Sequence, residues 1–215
     1  MKILALEFSS NQRSAAVVED GRVRGRAQDV GARGGRPLFM VESALREAGL
    51  EREQVDCLAV ALGPGSYAGI RSAIALAQGW QLALGTKTVG VSSVECLAAR
   101  ARAERILGRV GVVIDAQRGE FYLAVYEIGD KTFRETEPLR LAAKSDVDRL
   151  DGSVIVGPDA AKWFAGGREL FPDAAVIGQL AATRRDFESA AKLEPIYLRE
   201  TSFVKATPPR IIPAA

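Results

Sequence analysis

The sequence contains no histidine in its 215 residues. Histidine is the general base of Ser-His-Asp triads and Cys-His dyads, and it is a ligand in zinc-protease helices and in most zinc or iron sites. Its absence therefore excludes all of these mechanisms. What remains is chemistry by carboxylates, lysine or the backbone, or no reaction at all.

Cysteine, net charge and long apolar segments are also scarce. Cys57 and Cys96 are far apart in apolar or helical surroundings, which favours buried thiols over a disulfide or a metal pair. A formal net charge of +2 gives no sign of direct binding to nucleic acid or to an acidic membrane. Before Glu7, the apolar stretch from Ile3 to Leu6 is too short for a signal peptide or a membrane span. We expect a cytoplasmic globular protein that does not contact membranes.

The strongest local signal is a glycine turn between an apolar strand and a helix. The apolar run 55–62 predicts a strand buried on both faces, Gly63-Pro64-Gly65 ends it, and the Ala- and Leu-rich run 69–84 predicts a helix. This order can aim backbone N–H groups at an anion. However, neither a Walker A loop nor a dinucleotide fingerprint is present. The alternative is that the glycines, including Gly69, only allow strand and helix to pack closely.

The chain contains two similar halves. The first predicts β-β-β-α-β-α, with strands at 2–8, 14–19 and 22–29, a helix at 36–49, a strand at 55–62 and a helix at 69–84. The second predicts strands at 110–114, 120–128 and 132–141, a helix at 144–150 and a strand at 154–156. In each half a carboxylate lies at the end of the first strand, a Gln-Arg pair follows in the first turn, a Gly/Asp pair forms the second turn, and a Gly-Pro pair follows the fourth strand. Four shared features in the same order indicate a duplication.

Tandem β-β-β-α-β-α units predict an α/β protein with a duplicated ribonuclease-H-like fold, the architecture of actin-like and sugar-kinase (ASKHA) ATPases. We predict halves at 1–106 and 107–200, followed by a tail at 201–215. ATPases of this class hold nucleotide in the cleft between the halves, and a carboxylate at the first strand end serves the metal or the attacking water. Glu7 and Asp115 occupy those positions. The alternative for each is a solvated acid or the cap of a turn.

Several segments of the chain resemble the TsaB (YeaZ) family. They are Lys2-Ile-Leu-Ala-Leu-Glu-Phe-Ser-Ser10, Gly63-Pro-Gly-Ser-Tyr-Ala-Gly-Ile-Arg71, Ile114-Asp-Ala-Gln-Arg-Gly-Glu-Phe-Tyr122 and Glu194-Pro-Ile-Tyr-Leu-Arg199. The resemblance covers nearly the whole chain. It implies an accessory subunit that is required for threonylcarbamoyl transfer to the adenosine next to the anticodon of tRNAs. The implied partners are a TsaD-like paralogue, which performs the transfer, and a TsaE-like ATPase.

The resemblance also implies that the chain has no catalytic residue, metal or cofactor of its own, although a nucleotide at a subunit interface stays open. The residues of a candidate vestigial nucleotide or phosphate site are Glu7, Ser9, Ser10, Gly63, Gly65, Ser66 and Asp115. Three positions depart from the family pattern. Glu7 replaces an Asp, Ala68 replaces a Thr in the glycine turn, and a histidine ahead of the first helix is replaced near Arg33. The first two departures weaken the expectation of a nucleotide site.

Two other functions stay open at this point. An independent ATP-dependent kinase or hydrolase would use Glu7, Asp115 and the glycine turn. Direct tRNA binding would depend on Arg199, Lys205 and Arg210 near Phe203, which a solvated tail explains better. We therefore expect contact with tRNA only through the complex.

The two helices of the first half predict a docking surface. In the helix at 36–49 the core stripe comprises Leu38, Val41, Leu45 and Ala48, which leaves two large apolar residues on the polar side. The helix at 69–84 is apolar enough to be covered on more than one side. We predict that this surface binds the TsaD-like paralogue, and a second copy of the chain as a homodimer when that partner is missing. The predicted docking residues are Phe39, Met40, Ala73, Ala77 and Trp80.

Overall fold

The computed structural model describes residues 1–30 and 36–199, so the predicted tail and Arg33 lie outside the described residues. Its first half contains β1 (Lys2–Glu7), β2 (Gln12–Glu19), β3 (Arg22–Val30), α1 (Pro37–Ala48), β4 (Cys57–Ala61), α2 (Tyr67–Leu84), β5 (Lys87–Val91) and α3 (Ser93–Ala103). The following segment contains β6 (Gly108–Asp115), β7 (Glu120–Ile128), β8 (Phe133–Ala143), α4 (Lys144–Asp148), β9 (Val154–Gly157), α5 (Ala160–Trp163), β10 (Arg168–Glu169) and α6 (Ala174–Ala182). Short 3-10 helices lie at Arg52–Gln54 and Ala190–Lys192.

The strands form two sheets with the same topology, which confirms the predicted duplication. The first sheet has the order β3-β2-β1-β4-β5 and the second the order β8-β7-β6-β9-β10. In each sheet the first three strands are antiparallel, and the last two run parallel to the first strand. Each half is therefore a ribonuclease-H-like unit.

Both Gly-Pro pairs lie at the carboxyl end of the fourth strand of their sheet, as the repeat predicts. The two pairs differ, however, in how many residues separate them from the position at which the fourth strand pairs with the first strand. Leu4 on β1 pairs with Leu58, and its counterpart Val112 on β6 pairs with Val156. Gly157 thus comes one residue after the paired position, whereas Gly63 comes five residues after it. The fourth strand of the first half continues further towards the cleft between the halves.

The first sheet is covered on both faces, which explains the nearly continuous apolar sequences of β1 and β4. Leu4 and Leu6 point to a core that α1 and α2 complete. Ile3 and Ala5 point to the opposite core, where α6 packs. Because α6 belongs to the segment that follows the second sheet, the chain returns to the first half after residue 170. The predicted boundary at residue 106 thus separates the two sheets but not their helices.

The predicted orientation of α1 is wrong at two positions. Met40 is buried with Val41, Ala44 and Leu45, whereas Leu38 is exposed. The cause lies on β3, where a Cβ at Gly25 would overlap the carbonyl oxygen of Ala44. This close approach turns the Met40 side of the helix towards the sheet, and the first turn, which carries Leu38, stays in solvent.

The predicted outward orientation of the small residues of α2 is also wrong. Ala73 and Ala77 are fully buried together with Gly69 and Ile70, at the spacing of a single helical face. This face lies on the sheet, so the small side chains allow the helix to approach β4 and β1 rather than a partner. A second side of α2 is covered by the chain itself, because Gln81 Oε1 accepts a 2.8 Å hydrogen bond from the backbone N–H of Ala190.

Across residues 1–30 and 36–199, no helix combines the length and the apolar character that crossing a bilayer requires.

Two glycines of α2 provide a matched test of its packing. At Gly69 a Cβ would overlap the carbonyl oxygen of Phe8, whereas at Gly79 it would meet nothing within 4 Å. We expect Gly69→Ala to lower the free energy of unfolding by about 1–3 kcal/mol, as overpacking does. Gly79→Ala should raise it by about 0.5–1 kcal/mol through helix propensity. Urea denaturation measures both; equal effects of the two substitutions would contradict the docking of α2 on Phe8.

Candidate functional site

A cleft of about 550 Å³ lies where the carboxyl ends of β1 and β6 meet. Five of the seven predicted nucleotide-site residues line it, namely Ser9, Ser10, Gly65, Ser66 and Asp115. The other two do not line the cleft, because Gly63 and Glu7 are both buried. The structure therefore brings most of the candidate site together but separates its two acids.

Sequence reasoning missed a large part of the cleft lining. Arg13 lines it together with Asp159 and three aromatic residues, Tyr67, Tyr122 and Tyr197. These tyrosines come from α2, β7 and the segment after the last 3-10 helix, so no local pattern joins them. Arg13 carried a usable signal, since it belongs to the Gln-Arg pair that recurs in the two halves.

Asp115 both lines the cleft and caps the turn after β6. Its Oδ1 accepts a 2.7 Å hydrogen bond from the N–H of Gln117, and its Oδ2 lies 3.4 Å from Gln117 Nε2. The turn needs this support, because Gln117, Arg118 and Gly119 all have positive φ angles. The turn-capping alternative is thus correct for Asp115, and the carboxylate remains half-buried at the edge of the cleft.

Two N–H groups at the glycine turn and the start of α2 form hydrogen bonds within the protein. The N–H of Ser66 donates to the carbonyl oxygen of Ser9 at 2.6 Å, and the N–H of Gly69 donates to Ser66 Oγ at 3.3 Å. A Cβ at Gly65 would also overlap that carbonyl oxygen of Ser9. The geometry matches the close-packing alternative and leaves fewer donors for a phosphate.

Arg13 is the cationic side chain of the cleft. Its Nε is buried and has no hydrogen-bond partner among the residues that the structure describes. It shares the cleft with the carboxylates of Asp115 and Asp159. Within the described part of the chain, no group of three or more Cys, Asp or Glu side chains could hold a metal ion.

The chain is similar to proteins of known family. Residues 37–201 match a family model described as TsaD: tRNA N6-adenosine threonylcarbamoyltransferase. The solved structure of YeaZ from Pseudomonas aeruginosa is 29% identical, with a TM-score of 0.79, and the match covers 92% of this chain and 99% of that chain. The tRNA threonylcarbamoyladenosine biosynthesis protein TsaB of Escherichia coli (strain K12) is 30% identical over 176 residues, which cover 79% of this chain and 76% of that protein.

The chain belongs to the TsaB (YeaZ) family. A further TsaB, from Haemophilus influenzae, is 27% identical and matches over 98% of both chains.

This TsaB family member buries its acid at the end of β1. Glu7 shares a strand face with Ile3 and Ala5, so its side chain points to the core beside α6. Its Oε1 accepts hydrogen bonds from the N–H of Ser9 at 2.6 Å and from Ser9 Oγ at 2.5 Å. Its buried Oε2 has no partner within residues 1–30 and 36–199. Glu7 therefore does not act together with Asp115 in the cleft.

Burial also changes the charge of Glu7. Removal from water raises its pKa from 4.5 to about 7, the hydrogen bonds from Ser9 oppose this rise, and the nearby Asp173 carboxylate adds to it. A carboxyl group with this pKa is largely neutral in weakly acidic solution. Such a group is a poor ligand for Mg²⁺, which binds ionised carboxylates.

The predicted docking residues fall into two groups. Phe39 is 55% exposed, and Trp80 is half-buried with a buried Nε1 that has no hydrogen-bond partner in the described chain. Met40, Ala73 and Ala77 are in the core and cannot line a docking surface. The exposed large apolar residues of the two helices are Leu38, Phe39, Tyr67, Leu82 and Leu84.

The buried carboxyl group predicts a pH dependence of stability. The unfolded chain releases the Glu7 proton near pH 4.5, whereas the folded protein keeps it until about pH 7. Because the folded state binds more protons in this window, its free energy of unfolding should fall as the pH rises. The total loss is on the order of 3 kcal/mol, at about 1.4 kcal/mol per pH unit.

Glu7→Gln should remove most of this dependence and make the protein more stable than the parent above pH 7. Urea denaturation of both proteins between pH 4.5 and 8 measures it. Asp115→Asn is the matched control, because that acid lies at the cleft surface. It should keep the pH dependence of the parent. A Glu7→Gln protein with the same slope as the parent would show that Glu7 is ionised in the fold.

Proposed function

We propose that the chain is a partner subunit in the synthesis of threonylcarbamoyladenosine in tRNA. The observation that carries this proposal is its match to relatives named TsaB, which extends along nearly the whole chain for one of them. The match to the TsaD family model supports the shared fold with the transferase. In this proposal the TsaD-like paralogue performs the transfer, and a TsaE-like ATPase completes the system.

The geometry of the cleft supports a subunit without a reaction of its own. Glu7 lies in the core, and Ser66 and Gly69 use their N–H groups for packing. A nucleotide-hydrolysing site of this fold needs a carboxylate beside the metal and free donors for the phosphates. We infer that the chain binds no resident cofactor, acts in the cytoplasm and contacts tRNA only within the complex.

The exposed apolar residues of α1 and α2 support the assignment of a docking surface. Phe39 and Leu38 are both more than half exposed at the start of α1, and Leu82 is 90% exposed near the end of α2. Large apolar side chains that stay exposed on a folded protein are typical of interface anchors. We infer that this surface binds the TsaD-like paralogue and, without it, a second copy of the chain.

Reconstitution tests the proposed function. The chain should co-purify with the TsaD and TsaE of the same organism, and threonylcarbamoyl transfer to tRNA should require all of them. Transfer by the chain in the absence of TsaD would contradict a non-catalytic role. Saturable ATP binding at micromolar concentration with magnesium, followed by hydrolysis, would instead favour an independent ATPase. Failure to form any complex would remove the proposal.

Phe39→Asp tests the docking surface. Association would bury the new carboxylate without a partner, which costs at least a few kcal/mol and weakens binding roughly a hundredfold or more. Folding should survive, because surface substitutions usually change stability little. Size-exclusion chromatography should show a shift from dimer to monomer, and pull-down of TsaD should be lost.

Leu107→Asp is the matched control for this experiment. Leu107 is also an exposed apolar residue, but it lies between α3 and β6 and not on α1 or α2. It should leave self-association and TsaD binding intact. A Phe39→Asp protein that stays dimeric and still captures TsaD would exclude Phe39 from the interface.

A further inference from the structure

A C-terminal segment crosses the mouth of the cleft and contacts the turns of both halves. We call this segment, residues 193–199, the strap. It follows the 3-10 helix at Ala190–Lys192 and contains the Pro-Ile-Tyr-Leu-Arg sequence. The cleft chemistry described above does not use it, although Tyr197 lines the cleft.

The first part of the strap is fixed to the first half of the protein. The side chain of Leu193 is buried in the core beneath α1 and α2. The N–H of Ile196 donates a 2.8 Å hydrogen bond to the carbonyl oxygen of Leu62 at the end of β4. The ring of Tyr197 then stacks on Tyr67, the first residue of α2, with ring centroids 5.4 Å apart and an angle of 23° between the planes.

The end of the strap is fixed to the second half. Arg199 Nη2 lies 2.6 Å from Glu120 Oε2, 3.0 Å from the carbonyl oxygen of Ala116 and 3.3 Å from that of Gln117. These three acceptors belong to the turn between β6 and β7 and its edge. A guanidinium that meets a carboxylate and two carbonyl groups forms charge-assisted hydrogen bonds, which are stronger than neutral ones.

The two attachment points are the two turns that face each other across the cleft. Tyr67 directly follows the glycine turn, and the turn after β6 contains the capping Asp115. We propose that the strap holds the two halves at one spacing across the cleft, so that closure requires no ligand. Tyr197 and Arg199 are the positioning residues. This proposal concerns the cleft alone and does not depend on the proposed role in tRNA modification.

Pulsed electron–electron double resonance between two nitroxide labels measures this spacing in the full chain. Ser72→Cys on α2 and Ala161→Cys on α5 place the labels on exposed positions of the two halves. The native thiols should stay unlabelled, because burial raises the pKa of Cys57 to about 12 and also raises that of Cys96. The parent should give one narrow distance distribution that ATP with magnesium does not change.

Arg199→Ala should broaden this distribution and shift it to longer distances, and Arg199→Lys should have an intermediate effect because it keeps the charge but loses the planar fork. Arg185→Ala is the matched control, since Arg185 Nη1 donates to the carbonyl oxygens of Ala182 and Arg184 on its own segment. It should leave the distribution of the parent unchanged.

A second pair of substitutions tests the other attachment point. Tyr197→Ala removes the stacking partner of Tyr67 and should broaden the distribution, whereas Tyr197→Phe keeps the ring and should not. If circular dichroism shows that Arg199→Ala does not fold, this pair decides the question. Folded Arg199→Ala and Tyr197→Ala proteins with the narrow distribution of the parent would overturn the proposal. So would a parent whose distribution narrows only when ATP is added.

Discussion

The close docking of α2 on the end of β1 is the contact on which the rest of the structure depends. The carbonyl oxygen of Phe8 occupies the space that a side chain at Gly69 would need, and that of Ser9 does the same at Gly65. The N–H of Ser66 completes the contact through its hydrogen bond to Ser9. This contact brings the buried face of α2 onto the sheet and commits the glycine turn to packing. The residues whose pattern predicts an anion site therefore allow α2 to pack closely on the end of β1.

The docking contact also encloses a polar chain that leads to the buried acid. Ser93 Oγ donates to Ser9 Oγ at 2.9 Å, and Ser9 Oγ donates to Glu7 Oε1. The N–H of Ser93 donates to the carbonyl oxygen of Gly63 at 2.7 Å, so the chain connects α3 to the glycine turn. Glu7 is fully buried, and its Oε2 has no hydrogen-bond partner within the described residues, so the protein favours the neutral form of this carboxyl group. The acid contributes to the core rather than to the cleft.

The sequence predicted the topology well because its signals are local and repeated. Hairpin turns, buried apolar runs and the two Gly-Pro pairs each specify a neighbouring element, and their repetition specified the duplicated sheets. The wrong predictions concern the direction in which side chains point and the contacts between residues that are far apart in the sequence. The orientation of α1 depends on Gly25 of β3, where the lack of a side chain allows the helix to approach closely. The exposure of Leu38 follows from this orientation. Tyr122 and Tyr197 meet in the cleft from distant segments, and Glu7 points inward because it shares a face of β1 with the buried residues Ile3 and Ala5.

The position of the strap connects the cleft with the exposed faces of the helices. Tyr67 stacks on Tyr197, and the Arg71 guanidinium lies over the Tyr67 ring, 5.3 Å from its centroid. Tyr67 is itself one of the exposed apolar residues of α2. A partner that covers the start of this helix would therefore contact the same ring that fixes the strap. Because Arg199 links the strap to the turn after β6, the proposed docking surface and the proposed spacing of the cleft would share one chain of direct contacts.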